Sequence, residues 1–150
     1  MVSAIPLNQI LSDALRIGAS DVHLIVGLPP LVRLHTILQP TDLPLLTPES
    51  TRQMALGMLG EERFKVLEQR KDIDFSTEVS GLGRFRVNAH FQNGSIGIAM
   101  RAIQERVRPL EELNLPEAIH NLPHLPRGLV LVTGDTGSGK IGRASCRERV

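Results

Sequence analysis

The sequence has no tryptophan, no tyrosine and only four phenylalanines. Platforms that stack unpaired bases are built from such rings, so their scarcity argues against a single-strand nucleic-acid binder. It has a single cysteine, Cys146. No disulfide can form within the chain, which points to a reducing compartment. No apolar run approaches the ~20 residues that a membrane-spanning helix needs. The opening stretch MVSAIPLNQILSDALR lacks the basic segment and apolar block of a secretory signal. Neither sign of charge dominates: 17 Lys and Arg stand against 16 Asp and Glu. These absences describe an expected cytoplasmic protein with no transmembrane segment and no nucleic-acid partner. Its 150 residues suit one compact domain, or a small domain with part of another.

What is present begins with helical spacing. Leu7, Ile10, Leu11, Ala14, Leu15 and Ile17 fall on one stripe, and Gly18 supplies a stop. SDVHLIV predicts a short strand, GLPP a turn, and LVRLHTIL an alternating β segment with Leu31, Arg33 and His35 opposite Val32, Leu34 and Thr36. Thr47 is placed to cap a helix that has Pro48 at its first position. Met54, Ala55, Met58 and Leu59 form that helix's apolar stripe, and a second helix, EERFKVLEQR, is expected after Gly60. Three strands follow: DIDFSTEV, GRFRVNAHF and SIGIAMRAI. Asn93-Gly94 joins the last two as a hairpin turn. Phe85, Val87, Ala89 and Phe91 alternate with Arg84, Arg86, Asn88 and His90, so one face of this sheet is apolar and the other polar.

The character changes after residue 103. QERVRPLEELNLPEAIHNLPHLPRG is proline-rich and reads as a linker over 104–127. GLVLVTG follows as a near-continuous apolar run, the pattern of a strand buried on both faces in a parallel sheet. It leads into Gly134, Asp135, Thr136, Gly137, Ser138, Gly139 and Lys140, which match the phosphate-loop pattern G-x-x-x-x-G-K. The glycines let successive backbone N–H groups turn inward around an anion. The lysine ammonium reaches the terminal phosphates. The pattern selects ATP or GTP with Mg²⁺, without choosing the base. The plainer reading, a glycine-rich turn, is outweighed because the loop follows a buried-strand signal directly. Position 141 is Ile where a magnesium-ligating Ser or Thr belongs, and GRASCRERV has no apolar periodicity to continue as a helix.

GASDVHLIVGLPPLVRLH, GRFRVNAHFQN, PLEELNLP and RGLVLVTGDTGSGK together resemble the PilT family of pilus-retraction ATPases, within the type II and type IV secretion ATPases. The resemblance covers residues 1–140 in order. From Lys140 to Val150 the sequence equals the translation of a common short-read sequencing adapter, so 141–150 is expected to be non-native. Without that segment the chain carries 14 basic and 15 acidic residues, a net −1, because it holds Arg143, Arg147, Arg149 and Glu148.

The resemblance implies an α+β chain. Residues 1–103 would form a PAS-like N-terminal domain, with helices on an antiparallel sheet. Residues 128–140 would be the first strand and phosphate loop of a RecA-like domain whose remainder is missing. It further implies a homohexamer, ATP and Mg²⁺ as cofactors, an inner-membrane pilus platform protein as partner, and a cytoplasmic site peripheral to the inner membrane. Two arginines of the N-terminal sheet reach the γ-phosphate in that class, and the matching positions are Arg86 and Arg101, with Arg84 a weaker third. With Lys140 they form the expected catalytic set. No metal-ligating residue is expected, because the acidic residues that hold Mg²⁺ lie downstream in the family. The fragment itself is therefore expected not to hydrolyse ATP. A pilus-extension or secretion ATPase of the same class remains open, as does a stand-alone PAS-like interaction module. Asp135 stands where the family usually has proline.

Several residues carry plainer readings. His23 has no second ligand at metal spacing and is expected to be structural, as are His35, His90, His120 and His124. Asp21 is expected to be a turn or cap group. Asp72 and Asp74 could bind a cation but fit exposed edge charges equally well.

Overall fold

The computed structural model describes residues 6–103 together with Arg127, Leu129, Leu131 and Thr133. The chain divides into two units, Met1–Ile103 and Gln104–Val150. The first is an α+β arrangement of eight elements. Helix α1 (Leu7–Arg16) is followed by β1 (Asp21–Leu24), β2 (Leu31–Leu34) and β3 (Ile37–Pro40), then α2 (Pro48–Arg70), β4 (Asp72–Val79), β5 (Gly83–Gln92) and β6 (Ser95–Ile103). The six strands make one sheet in the order β3-β2-β1-β6-β5-β4, and every neighbouring pair is antiparallel. The two central strands, β1 and β6, come from opposite ends of the unit.

Each helix forms for local reasons. On α1, Ile10, Leu11 and Ala14 are buried, so its apolar stripe faces the sheet. Thr47 caps α2: its hydroxyl accepts from Ser50 N–H at 3.2 Å, and the Ser50 hydroxyl accepts from Thr47 N–H at 2.9 Å. This reciprocal pair satisfies two donors that a helix start leaves open. Pro48 lies at the first position, where no N–H is missed. Gly60 breaks the run with φ 70° and ψ 169°, so the two expected helical segments meet at a backbone kink.

Two turns differ in how they were written. Asn93 and Gly94 have φ of 51° and 77°, the two left-handed positions of a tight hairpin turn. LVRLHTIL is not one strand. It folds back at His35 and Thr36, with φ of 46° and 73°, and Leu34 pairs with Ile37. The turn has neither Gly nor Asn. Its Thr36 carbonyl accepts a hydrogen bond from Arg33 Nη1 at 3.0 Å, which holds a conformation that a β-branched residue otherwise avoids.

The core lies between the helices and the apolar face of the sheet. Val22, Leu24, Val32, Phe85, Val87, Ala89, Ile96, Ile98 and Met100 are buried there against Ile10, Leu11, Ala14, Met54, Ala55, Leu59, Phe64 and Leu67. Because side chains alternate along a strand, the other face carries the residues between these. Of the strand expected in GLVLVTG only Leu129, Leu131 and Thr133 are described, Leu129 and Leu131 being 83% and 76% exposed; its other residues, like residues 104–126 of the expected linker, lie outside the described residues. Among the described residues no helix is long and apolar enough to cross a membrane.

Candidate functional site

The polar face of the sheet is ordered in rows. Arg33, Asp21, Arg101, Arg86 and Ser76 are successive cross-strand partners on β2, β1, β6, β5 and β4. The next row runs through His23, Ala99, Asn88 and Asp74. The sequence-predicted Arg86 and Arg101 are therefore directly opposite one another. Opposite side chains on one face start about 5 Å apart, within reach of a common anion. Arg84, the third candidate, lies off that row, between Glu78 and Ile103.

Asp21 organises the first row and is not the turn or cap group expected. It is 7% exposed. One oxygen, Oδ1, accepts from Arg101 Nε at 2.7 Å. The other accepts from Ser20 Oγ at 2.8 Å and pairs with Arg33 Nε at 3.3 Å. The backbone around it is tied to both neighbours: Ser20 N–H donates to Arg33 O, and Ala102 N–H donates to Ser20 O. Burial pushes the carboxyl upward, but the Ser20 and Arg101 hydrogen bonds and the charges of Arg101 and Arg33 outweigh it, leaving the pKa below 3.8. Asp21 is thus an anion at neutral pH. Neither it nor Arg33 carries a sequence signal for this role, since the pair with Arg101 spans 80 positions.

Arg101 uses only Nε in this contact. Both of its terminal nitrogens are without a partner among the described residues, and its side chain is 58% exposed. Arg86 is exposed and makes no hydrogen bond or ion pair among the described residues. The phosphate-loop residues Gly134–Lys140 lie outside the described residues, so the structure does not bring Lys140 into relation with these arginines.

The histidines are arranged differently. His90 Nδ1 lies 2.9 Å from Asn88 Oδ1, and Asn88 Nδ2 donates to Asp72 Oδ1 at 2.7 Å. A Cβ at Gly97 would stand 3.0 Å from His90 Nε2, so glycine there gives the ring its place on the face. Asp72 and Asp74 lie on the edge strand β4, with Asp72 engaged by Asn88. His23 Nε2 is buried with no partner among the described residues. Burial pushes the His23 pKa down from 6.5; Asp21 opposes this, while Arg33, Arg101 and His90 reinforce it. No group of three or more His, Cys, Asp or Glu side chains among the described residues could hold a metal ion.

A pH prediction follows for His23. Below pH 6.5 the unfolded chain takes up a proton that folded His23 resists. The unfolded state then binds more protons, so this group makes stability fall as pH falls through that range. The loss ends below the folded pKa. His23→Gln is expected to flatten the dependence of unfolding free energy on pH just below 6.5, as read by urea titrations at stepped pH. A slope equal to that of the parent chain would remove His23 as its source.

No protein-family model matches the chain. Among curated proteins it is 40% identical over 134 residues to "Type IV pilus retractation ATPase PilT" of Pseudomonas aeruginosa, covering 89% of this chain and 39% of that protein. It is 36% identical over 123 residues to "Type IV pilus ATPase PilU" of the same organism, covering 82% of this chain and 32% of the relative. A twitching motility protein of Neisseria gonorrhoeae is 36% identical over 111 residues, 74% of this chain and 30% of the relative. The chain thus spans about two fifths or less of these relatives. Among solved structures, the pilus retraction motor PilT with bound ADP superposes with a TM-score of 0.79 at 38% identity, over 97% of this chain and 43% of that one. The ATPase DotB of Legionella pneumophila superposes with a TM-score of 0.83 at 26% identity, over 99% and 44%.

Proposed function

We propose that the chain belongs with the PilT-type ATPases of the type II and type IV secretion family, to which it is similar over most of its own length, and that it is the N-terminal part of a motor that retracts type IV pili. ATP is the nucleotide. Residues 1–103 are the PAS-like domain, and 128–140 open a RecA-like domain whose loop Gly134–Lys140 grips the phosphates. The intact motor is a homohexamer in the cytoplasm, docked at the inner membrane on a pilus platform protein. Arg86 and Arg101 meet the γ-phosphate, where a guanidinium can hold two oxygens at once and offset charge developed during phosphoryl transfer.

The observation that carries this reading is the pairing of Arg86 with Arg101 on the exposed polar face. Like charges placed directly opposite destabilise a sheet. Asp21 offsets one of them, and an anion shared by both guanidinium groups offsets the rest. The residues fit a polyphosphate. The groups that would hold its magnesium are not among the described residues, which contain no acidic cluster, and position 141 belongs to the segment expected to be non-native. No step is assigned to the ion on this chain. ATP supplies the phosphoryl group, and the arginines hold its oxygens.

The test is ATP hydrolysis by the full-length protein from the source locus. Turnover is expected, and Lys140→Ala is expected to abolish it. The isolated 150-residue chain is expected to hydrolyse no ATP. Full turnover by the Lys140→Ala protein would overturn the assignment of the loop.

A further inference from the structure

We propose that Asp21 is a positioning residue for phosphoryl transfer, setting the direction in which Arg101 presents its guanidinium. The inference rests on the reading that Arg101 meets the γ-phosphate.

A free arginine side chain samples many rotamers, and an anion that binds it must select one. Arg101 is half-exposed and would be free in this sense were it not held near its terminus. Asp21 holds it by Nε at 2.7 Å. That single contact fixes the guanidinium plane, because the group is rigid. It also occupies the one nitrogen nearest the stem and leaves both terminal nitrogens for another acceptor. A carboxylate that served only to neutralise arginine would more favourably make a two-pronged contact, which takes up at least one terminal nitrogen. The contact seen instead preserves the part of Arg101 suited to phosphate.

Asp21 is itself fixed from three sides. Arg33 Nε and Ser20 Oγ hold its second oxygen. Arg33 is in turn held by the Thr36 carbonyl in the left-handed hairpin turn. The backbone at Ser20 is bonded to β2 and to β6. The strained turn, Arg33, Asp21 and Arg101 therefore form a continuous chain of contacts that ends at the free guanidinium terminus. Arg33 also supplies the second positive charge that keeps Asp21 ionised when buried. Among the described residues, Arg86 has no comparable support and reaches the anion from the opposite strand.

The experiment is steady-state ATP hydrolysis by the full-length protein with Asp21→Asn, Arg101→Ala and the double substitution, each with its melting temperature. Loss of orientation at a catalytic contact costs on the order of 10–100-fold. Asp21→Asn is expected to lower kcat by about that amount and to change the KM for ATP by less than about 3-fold, since the lost interaction belongs to the transition state. In the Arg101→Ala background, Asp21→Asn is expected to change kcat by less than about 2-fold, because there is no guanidinium left to direct. A merely structural Asp21 would lower kcat equally in both backgrounds, and that result would overturn the proposal. So would a parental kcat for Asp21→Asn beside a slowed Arg101→Ala, which leaves the role of Arg101 intact. An unchanged kcat for Arg101→Ala would overturn the γ-phosphate reading and this proposal with it. Should Asp21→Asn not fold, Asp21→Glu carries the test: it keeps the charge but moves the carboxylate outward. A folded Asp21→Glu protein with reduced kcat supports the proposal, and one with parental kcat overturns it.

Discussion

Replacing Arg101 or Arg86 by alanine in the full-length protein is expected to cut ATP turnover by roughly 10³-fold, the lower end of what a phosphate-directed arginine supplies. The two substitutions should differ in their effect on the fold. Arg86 makes no polar contact among the described residues, so its loss is a surface change within about 0.5 kcal/mol. Arg101 holds Asp21 by a charge-assisted hydrogen bond at 2.7 Å. Its removal leaves Asp21 with Ser20 and Arg33, and the exposed position limits the cost to about 1–2 kcal/mol. Melting curves beside the rate assay therefore separate lost chemistry from lost structure. Arg84→Ala is the internal control: lying opposite Glu78 and Ile103, off the arginine pair, it should lose far less activity. Unchanged turnover in both Arg86→Ala and Arg101→Ala would remove them from the γ-phosphate.

The face that carries these arginines was legible because alternation is local. Every second residue from Phe85 to Phe91 is apolar, and that alone puts Arg86 opposite the core. Asn93-Gly94 marked its turn for the same reason: the side chains that tolerate left-handed backbone are few. The turn at His35-Thr36 was not legible. Its conformation is held by a hydrogen bond from Arg33 and by pairing of Leu34 with Ile37, not by the residues in the turn. Asp21 was not legible either. A strand of four residues carries little pattern, and its partner in β6 is 80 positions away. The sequence could name an arginine; only the strand order β2-β1-β6-β5 reveals the carboxylate that directs it. Gly134–Lys140 lie outside the described residues, and their assignment rests on the motif alone.

Phe85→Ala tests the register on which this geometry stands. Phe85 is 2% exposed and shares a crevice between α1 and the sheet with Leu11, Ala14, Val22 and Met100, one too tight for water. Truncating a buried phenylalanine costs about 3–5 kcal/mol, through lost transfer energy and the cavity left behind. A domain of this size has roughly 5–15 kcal/mol in total. The melting temperature of the first unit should fall by on the order of 15 °C or more, followed by far-UV circular dichroism because the chain has no tryptophan. Phe85→Leu, which refills most of the space, should lose less than about half as much. The result bears on the arginines directly. Strand side chains alternate with period two, so a slip of β5 by one residue would turn Phe85 outward and carry Arg86 into the core. A Phe85→Ala chain as stable as the parent would mean that Phe85 is not buried. Arg86 and Arg101 would then not share a face, and a single phosphate could not be held by both.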